Sequence, residues 1–150
     1  RGLVGSEMCI RDSPQRPEMA IHRFTRLIYR ERKVPVFGEG KYKRDYTYID
    51  DLIEGMVLAL RYRSQFDIIN LGSSHPVDLL TLIGLIEENL HKKARIQYLP
   101  LQPGDPLVTF ADISKAHKLL GYQPKISIEE GIARFVRWYL ENLSWLNELT

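Results

Sequence analysis

The chain contains, between residues 36 and 51, the stretch VFGEGKYKRDYTYIDD. Its start completes a short apolar run of β type, Val34 to Phe37, which closes at Gly38 and Gly40. A basic loop follows, and then a second run of aromatic and branched residues from Tyr46 to Ile49. The stretch therefore predicts two short strands, joined by a two-glycine turn and a basic loop.

A capped helix is predicted directly after the second strand. Asp50 or Asp51 can serve as its N-cap, and Glu54 follows Asp51 by three residues, as in a capping box. Apolar side chains then recur at helical spacing, at Ile53, Met56, Val57 and Leu60. The second strand should thus lead straight into a helix.

Helices and strands continue to alternate along the chain. Apolar periodicity predicts further helices over residues 18–32, 76–93, 114–120 and from 128 onward. Pro76 suits the first turn of its helix, Gly121 suits a left-handed helix end, and Ser127 with Glu130 forms a capping box. Runs of β type predict additional strands at Phe66–Leu71 and Ile96–Leu99.

This alternation predicts an α/β protein. The glycine-rich strand-to-helix turn that opens a dinucleotide-binding fold is nowhere in the sequence. We therefore expect the chain to lack most of a parallel sheet, which a longer protein would supply upstream.

Composition narrows the class of protein. The 150 residues are 44% hydrophobic and 27% charged, as in a globular protein. A balance of 21 basic and 19 acidic residues argues against a nucleic-acid-binding surface, and no apolar run is long enough to cross a membrane. The single cysteine, Cys9, has no partner for a disulfide, and no cluster has metal-ligand spacing. We expect a cytoplasmic protein without a metal site.

The first residues differ from the remainder. The segment from Arg1 to Ser13, RGLVGSEMCIRDS, has neither strand nor helix periodicity and ends against Pro14 and Pro17. It resembles the peptide produced when sequencing-adapter DNA is translated; an ordinary flexible terminus is the alternative. We expect residues 1–13 to be foreign or disordered, and residues 14–150 to form the functional unit.

Several motifs in order resemble one known family. From Pro14 to about Glu141 the chain is similar to the carboxyl-terminal, substrate-binding part of the UDP-glucuronate 4-epimerases, which are NAD-dependent epimerase/dehydratases of the extended short-chain dehydrogenase/reductase family. The similar segments are Arg16-Pro17-Glu18-Met19-Ala20, Val36 to Asp51, Asn70-Leu71-Gly72, Gln102-Pro103-Gly104-Asp105 and Ser127-Ile128-Glu129-Glu130-Gly131. An ordered set of motifs is more specific than any one of them.

The resemblance implies roles for two residues on the nucleotide. Arg44 matches the family arginine that grips the UDP pyrophosphate, a task suited to a planar guanidinium with several donors. Its alternative is a surface arginine paired with Asp45. Asp105 matches a family carboxylate that accepts hydrogen bonds from the ribose hydroxyls, and its alternative is to stabilise the Pro-Gly turn before it.

Four further residues follow from the same resemblance. Val36 and Phe37 lie where the family contacts uracil, largely through backbone groups, although Phe37 could equally be a core residue. Arg16 matches an arginine that faces the sugar carboxylate, and its alternative is merely to start the helix. Gln102 stands where UDP-galactose 4-epimerases usually have an arginine, which favours the glucuronate branch.

The residues of the chemical step are expected outside this chain. The resemblance implies a tyrosine general base, with a lysine four residues later, on the half that also binds NAD. Tyr29 and Lys33 show this spacing, but they follow Arg16, whereas the family pair precedes that motif. We therefore expect no catalytic and no cofactor-binding residues here.

The resemblance implies that the longer protein inverts C4 of UDP-glucuronate to give UDP-galacturonate. This chain would bind the UDP-sugar and be inactive alone, and a homodimer is expected for the longer protein. The alternatives are another nucleotide-sugar enzyme of the family (a UDP-galactose 4-epimerase, a decarboxylase or a dehydratase) or a non-catalytic binding module.

Overall fold

The computed structural model describes residues 19–101 and 106–148. Its helices are α1 (Ala20–Tyr29), α2 (Ile49–Arg61), α3 (Leu79–Leu90), α4 (Ser114–Leu120), α5 (Ile128–Glu141) and α6 (Leu143–Glu148). Its strands are β1 (Lys33–Phe37), β2 (Lys43–Asp45), β3 (Pro76–Asp78), β4 (Arg95–Leu99) and β5 (Val108–Thr109). Strands and helices share the chain, which confirms the predicted α/β class.

The strands form two small sheets. β1 and β4 pair in parallel, with Lys33 opposite Arg95 and Phe37 opposite Leu99. In the second sheet β2 lies in the middle, antiparallel to β3 and parallel to β5. In the described part of the chain the sheet is therefore small, as expected for a unit that lacks most of a larger parallel sheet.

The hydrophobic core lies between β1 and the helices α1, α3 and α5. Val34 and Val36 are fully buried because alternate residues of β1 face the helices. The helices contribute the apolar faces that their periodicity predicts, with Phe24 and Ile28 from α1, Leu82, Ile83, Ile86 and Leu90 from α3, and Ile132, Phe135, Val136 and Tyr139 from α5. Burial of each large aliphatic side chain contributes about 1.5–3 kcal/mol.

The best local signals correspond to the observed helix ends. Gly121 ends α4 in the left-handed conformation with a φ of 68°, as predicted. Ser127 caps α5 and accepts a hydrogen bond from the Glu130 N–H at 3.3 Å. The Glu130 carboxylate turns to Arg134 instead of completing the capping box, with 2.6 Å between Oε1 and the guanidinium.

The predicted strand at Tyr46–Ile49 is wrong. The preceding residues, Lys43 to Asp45, form β2 because strands on both sides supply backbone partners. The predicted cap of the next helix is also wrong: Tyr48 is the N-cap and provides no side-chain hydrogen bond. Asp51 lies inside the first turn and accepts instead from the N–H groups of Lys125 and Ile126, each at 3.0 Å.

Two further predictions are corrected. Pro76 does not begin a helix but lies in β3, an edge strand, where its missing N–H costs no ladder bond. α3 begins after it, capped by the Asp78 carboxylate, which accepts from the Thr81 N–H at 2.9 Å. Phe66–Leu71 is not a strand: its side chains alternate in exposure, but no strand of the described residues pairs with it.

No helix among the described residues is long and apolar enough to cross a membrane.

Two glycines inside helices allow a matched test of the packing. A Cβ at Gly84 of α3 would meet nothing within 4 Å, whereas one at Gly55 of α2 would come within 2.9 Å of Leu71 and of the buried Tyr122. We expect Gly84→Ala to raise the free energy of unfolding by about 1 kcal/mol, because alanine favours the helix. Gly55→Ala should lower it by about 1–3 kcal/mol through overpacking.

Urea unfolding followed by circular dichroism measures both changes. Equal effects of the two substitutions would contradict the packing of α2 against Tyr122.

Candidate functional site

The carboxyl ends of β1 and β4 meet at one edge of their sheet, because the two strands are parallel. Beyond β1 the chain turns at Gly38, whose φ of 60° favours glycine and whose N–H donates to the Leu99 carbonyl at 2.8 Å. A Cβ at Gly38 would come within 2.5 Å of Leu101 and 3.7 Å of Tyr42. The turn therefore brings three segments into close contact.

Gly40 completes this turn and ties it to α3. Its φ is 71°, and its carbonyl accepts from the Leu79 N–H at 3.2 Å. A Cβ there would lie 2.8 Å from Leu80 and 3.1 Å from Val36. The predicted two-glycine turn thus requires glycine at both positions, because the backbone has a positive φ there and neighbouring side chains leave no room for a Cβ.

Arg44 lies on β2, half-buried, beside the segment that leads into β5. One terminal nitrogen of its guanidinium donates to the Pro106 carbonyl at 2.8 Å and to the Lys43 carbonyl at 3.0 Å. The Lys43 N–H donates to the Leu107 carbonyl at 2.8 Å. These bonds hold β2 and the 106–107 segment together around the guanidinium.

Tyr42 connects the glycine turn to Arg44, and sequence reasoning missed it. The guanidinium carbon of Arg44 lies 5.7 Å from the centre of the Tyr42 ring, within range of a cation–π contact. Cε2 of the same ring would lie 3.7 Å from a Cβ placed on Gly38. The signal that could have found it is an aromatic residue two positions before the arginine, since alternate residues of an extended chain face the same way.

The structure separates the two residues predicted to contact a base. Val36 is fully buried in the core and its backbone pairs with β4, opposite Tyr98. Phe37 is half-buried at the carboxyl end of β1, and its carbonyl accepts from the Gly40 N–H at 3.4 Å. The side chain of Phe37 therefore lies at the carboxyl-terminal edge of the sheet, whereas that of Val36 belongs to the hydrophobic core.

Arg16, Gln102 and Asp105 lie outside the described residues. The residues that flank the last two are described: Leu101 lies against Gly38, and Pro106 accepts from Arg44. Both flanks of residues 102–105 therefore lie at the edge formed by the glycine turn and Arg44. The roles of Arg16, Gln102 and Asp105 stay predictions.

Asp45, next to Arg44, is a carboxylate of β2 that accepts several hydrogen bonds. Oδ1 accepts from the Ser73 N–H at 3.2 Å and from the Ser73 hydroxyl, and Oδ2 accepts from the N–H groups of Ser74 at 3.0 Å and Ala111 at 3.1 Å. Partial burial acts to raise the pKa of Asp45, but these donors stabilise the charged form and hold its pKa below the ordinary value. The carboxylate is therefore ionised at neutral pH.

An open cleft of about 520 Å³ lies beside Asp45, lined by Thr47, Ile69, Asn70, Leu71, Gly72 and residues 109–111. Neither Arg44 nor Phe37 lines it. Alternate residues of a strand face opposite ways, so Asp45 and Arg44 project from opposite faces of β2. We place the candidate site on the Arg44 face, where the cationic and aromatic groups are.

Residues suited to other chemistry are dispersed. No group of three His, Cys, Asp or Glu side chains in the described ranges could hold a metal ion. Tyr29 ends α1 with its ring 6.0 Å from that of Tyr139, and Lys33 is an exposed residue of β1. The two do not share a helical turn, so the sequence spacing does not produce a Tyr-Lys pair on one helix.

The fold and this edge define a class of protein. Ligands of open α/β proteins bind outside the carboxyl ends of parallel strands, and a guanidinium matches the geometry of phosphate oxygens. A glycine turn, an aromatic ring and an arginine lie together at such an edge here. The class is an α/β protein whose candidate ligand site is this edge.

Comparison with known proteins specifies the family. Residues 7–135 match the family model described as GDP-mannose 4,6 dehydratase. A UDP-glucuronate 4-epimerase of Thermodesulfobacterium geofontis is 43% identical over 135 residues, which cover 89% of this chain and 42% of that protein. The chain belongs to the NAD-dependent epimerase/dehydratase family, within the extended short-chain dehydrogenases/reductases.

Solved structures agree with this assignment. The UDP-glucuronic acid 4-epimerase of Bacillus cereus, in complex with UDP-glucuronic acid and NAD, is 36% identical with a TM-score of 0.75, over 83% of this chain and 41% of that one. The UDP-glucose 4-epimerase of Thermotoga maritima with UDP-glucose is 30% identical with a TM-score of 0.80, over 89% and 43%. The chain thus spans about two fifths of the length of these relatives.

NAD is the cofactor of this family, as its presence in the Bacillus cereus complex illustrates. The glycine turn after β1 does not fit a dinucleotide. The turn after β1 leads to β2, not to a helix, so it lacks the helix N-terminus on which a dinucleotide pyrophosphate rests.

The hydrogen bonds of Asp45 predict a pH dependence of stability. The folded pKa lies below the unfolded value of about 3.9, so the ionised carboxylate stabilises the fold above that pH, and the contribution is lost as the pH falls through the folded pKa. At neutral pH, Asp45→Asn should lower the free energy of unfolding by about 2 kcal/mol. The difference should shrink below about pH 4.

Urea unfolding of both proteins across this pH range measures the difference. A deficit that stays constant down to the lowest pH would show that the charge of Asp45 does not contribute.

Proposed function

We propose that this chain forms the nucleotide-sugar-binding wall of an NAD-dependent UDP-glucuronate 4-epimerase. The observation that carries the proposal is the convergence of the glycine turn, Tyr42 and Arg44 at the carboxyl ends of β1 and β4. The relatives named as UDP-glucuronate 4-epimerases, one of them crystallised with UDP-glucuronic acid, support the identity of the ligand.

Each binding residue would contact a different part of the ligand. Arg44 would bind the pyrophosphate, with a guanidinium already oriented by the Pro106 carbonyl and the Tyr42 ring. Asp105 would accept from the ribose hydroxyls. Val36 and Phe37 would lie beside the base, Val36 only through its backbone because its side chain is buried.

Arg16 would determine the sugar. A charge-assisted contact between its guanidinium and the C6 carboxylate would favour a uronic acid over a neutral hexose. Gln102 in place of an arginine supports the same branch. NAD and the tyrosine-lysine pair, which would move the hydride and the C4 hydroxyl proton, belong to the part of the longer protein that these residues do not include.

A second candidate is the epimerisation of a neutral UDP-sugar or another reaction of the family. The UDP-glucose 4-epimerase of Thermotoga maritima has a TM-score of 0.80, above the 0.75 of the Bacillus cereus glucuronate complex, so shape does not favour the uronate. A dTDP-glucose 4,6-dehydratase from Streptomyces venezuelae reaches 0.81. The choice of sugar therefore rests on the predicted roles of Arg16 and Gln102 and on the sequence identity to relatives named as UDP-glucuronate 4-epimerases.

Calorimetric titration with UDP, UDP-glucuronate and UDP-glucose tests the binding proposal. Arg44→Ala should lower the affinity for all three ligands by about tenfold or more, because all three carry the pyrophosphate. Arg16→Ala should remove only the preference for the uronate. Lys43→Ala is the matched control, since it removes one positive charge from the opposite face of β2.

Three outcomes would contradict parts of the proposal. Equal affinity of the unaltered chain for UDP-glucuronate and UDP-glucose would refute the uronate assignment. An Arg44→Ala protein that binds like the Lys43→Ala control would refute the pyrophosphate role. Absence of all binding by a folded chain would mean that these residues alone do not form the site.

The chain alone should have no epimerase activity. It has no glycine-rich dinucleotide turn, and Tyr29 and Lys33 do not form a catalytic pair. We expect chromatography to detect no UDP-galacturonate after incubation with UDP-glucuronate and NAD, and absorbance at the NADH band to stay constant. Turnover would overturn the proposal that these residues bind the ligand without catalysing the reaction. It would also exclude the alternative of a non-catalytic binding module. A cytoplasmic location and a homodimeric parent stay predictions.

A further inference from the structure

The Asp45 carboxylate joins three segments that are distant in sequence. Its donors come from the turn at Ser73 and Ser74, before β3, and from Ala111, just after β5. Asp45 itself ends β2, the central strand of this sheet. The carboxylate therefore fixes both neighbours of β2 at the position next to Arg44.

The backbone around the carboxylate is shaped for close approach. Ser74 has a φ of 60°, a conformation that costs energy in a residue other than glycine. A Cβ at Gly72 would lie 2.8 Å from the Asp45 Oδ2 and 2.6 Å from the Cβ of Ala111. The Gly72 carbonyl is held in turn by the hydroxyl of the fully buried Tyr122 at 3.0 Å.

The opposite face of the same strand carries Arg44. Its guanidinium reaches Pro106, which lies just before β5, and the β2–β5 ladder places Arg44 opposite Thr109. Asp45 accepts from the N–H of Ala111, two residues after β5 ends, so both flanks of β5 are held to β2. Ala111 and Pro106 flank the same short strand, β5. Loosening at Ala111 would therefore also displace Pro106, whose carbonyl accepts a hydrogen bond from the Arg44 guanidinium.

We propose that Asp45 is a positioning residue for Arg44: its carboxylate clamps β5 and the Ser73–Ser74 turn to β2 and so orients the guanidinium for a diphosphate. The inference rests on the proposed function of Arg44. The carboxylate acts through the backbone and touches neither sugar nor phosphate.

The first readout needs no ligand. NMR relaxation of the Arg44 side-chain Nε–Hε group, assigned by its loss in Arg44→Ala, reports how firmly the guanidinium is held. In the unaltered chain it should be ordered, and in Asp45→Asn its order parameter should fall below about 0.6. An order parameter unchanged by Asp45→Asn would overturn the inference.

The second readout is a double-mutant cycle on UDP affinity. Asp45→Asn should weaken UDP binding by about tenfold when Arg44 is present, and by less than about twofold in the Arg44→Ala background. Equal losses in both backgrounds would overturn the inference, because Asp45 would then act independently of Arg44. If the unaltered chain binds no UDP, the proposed binding by this chain fails, while the relaxation readout still judges the inference.

Asp51→Asn is the matched control. Asp51 is likewise a carboxylate that accepts backbone N–H groups from a distant segment, those of Lys125 and Ile126, but it lies on α2. Its loss should lower stability without changing the Arg44 order parameter or the UDP affinity by more than about twofold. A control that reproduces the effects of Asp45→Asn would mean that general loosening, and not positioning, explains them.

Discussion

Two aspartate carboxylates accept hydrogen bonds from backbone N–H groups and so connect segments of this chain that are distant in sequence. Asp45 ties β2 to the segments beside β3 and β5, and Asp51 ties α2 to the turn before α5. Neither interaction is an ion pair between side chains. Backbone donors have fixed positions, so a charge-assisted hydrogen bond to them orders the chain with little loss of side-chain entropy beyond that of one aspartate.

These two constraints explain where the sequence predicts the fold and where it does not. Local signals were sufficient for β1, for the left-handed Gly121 and for the Ser127 cap, because each depends on neighbours in the chain. Lys43–Asp45 has no intrinsic β preference and becomes a strand only through its partners. Asp51 has the chemistry of a helix cap, but distant N–H groups at Lys125 and Ile126 compete for it.

The candidate site shows the same division. The motif around Arg44 was recognisable in the sequence, and the glycine turn followed from Gly38 and Gly40. The contribution of Tyr42 depends on a ring lying between that turn and the guanidinium, which is a tertiary contact. Likewise, the burial of Val36 follows from helices packed on β1, and no local pattern separates it from Phe37.

The parallel pairing of β1 with β4 has a consequence for how the protein folds. Lys33 pairs with Arg95, so β2, α2, β3 and α3 all lie in the loop that this pairing closes. The entropy of closing such a loop is lost before the ladder bonds compensate for it, which makes parallel strands slow to form. The candidate site at the ends of β1 and β4 is therefore completed late, and a nascent chain acquires it only after β4 has left the ribosome.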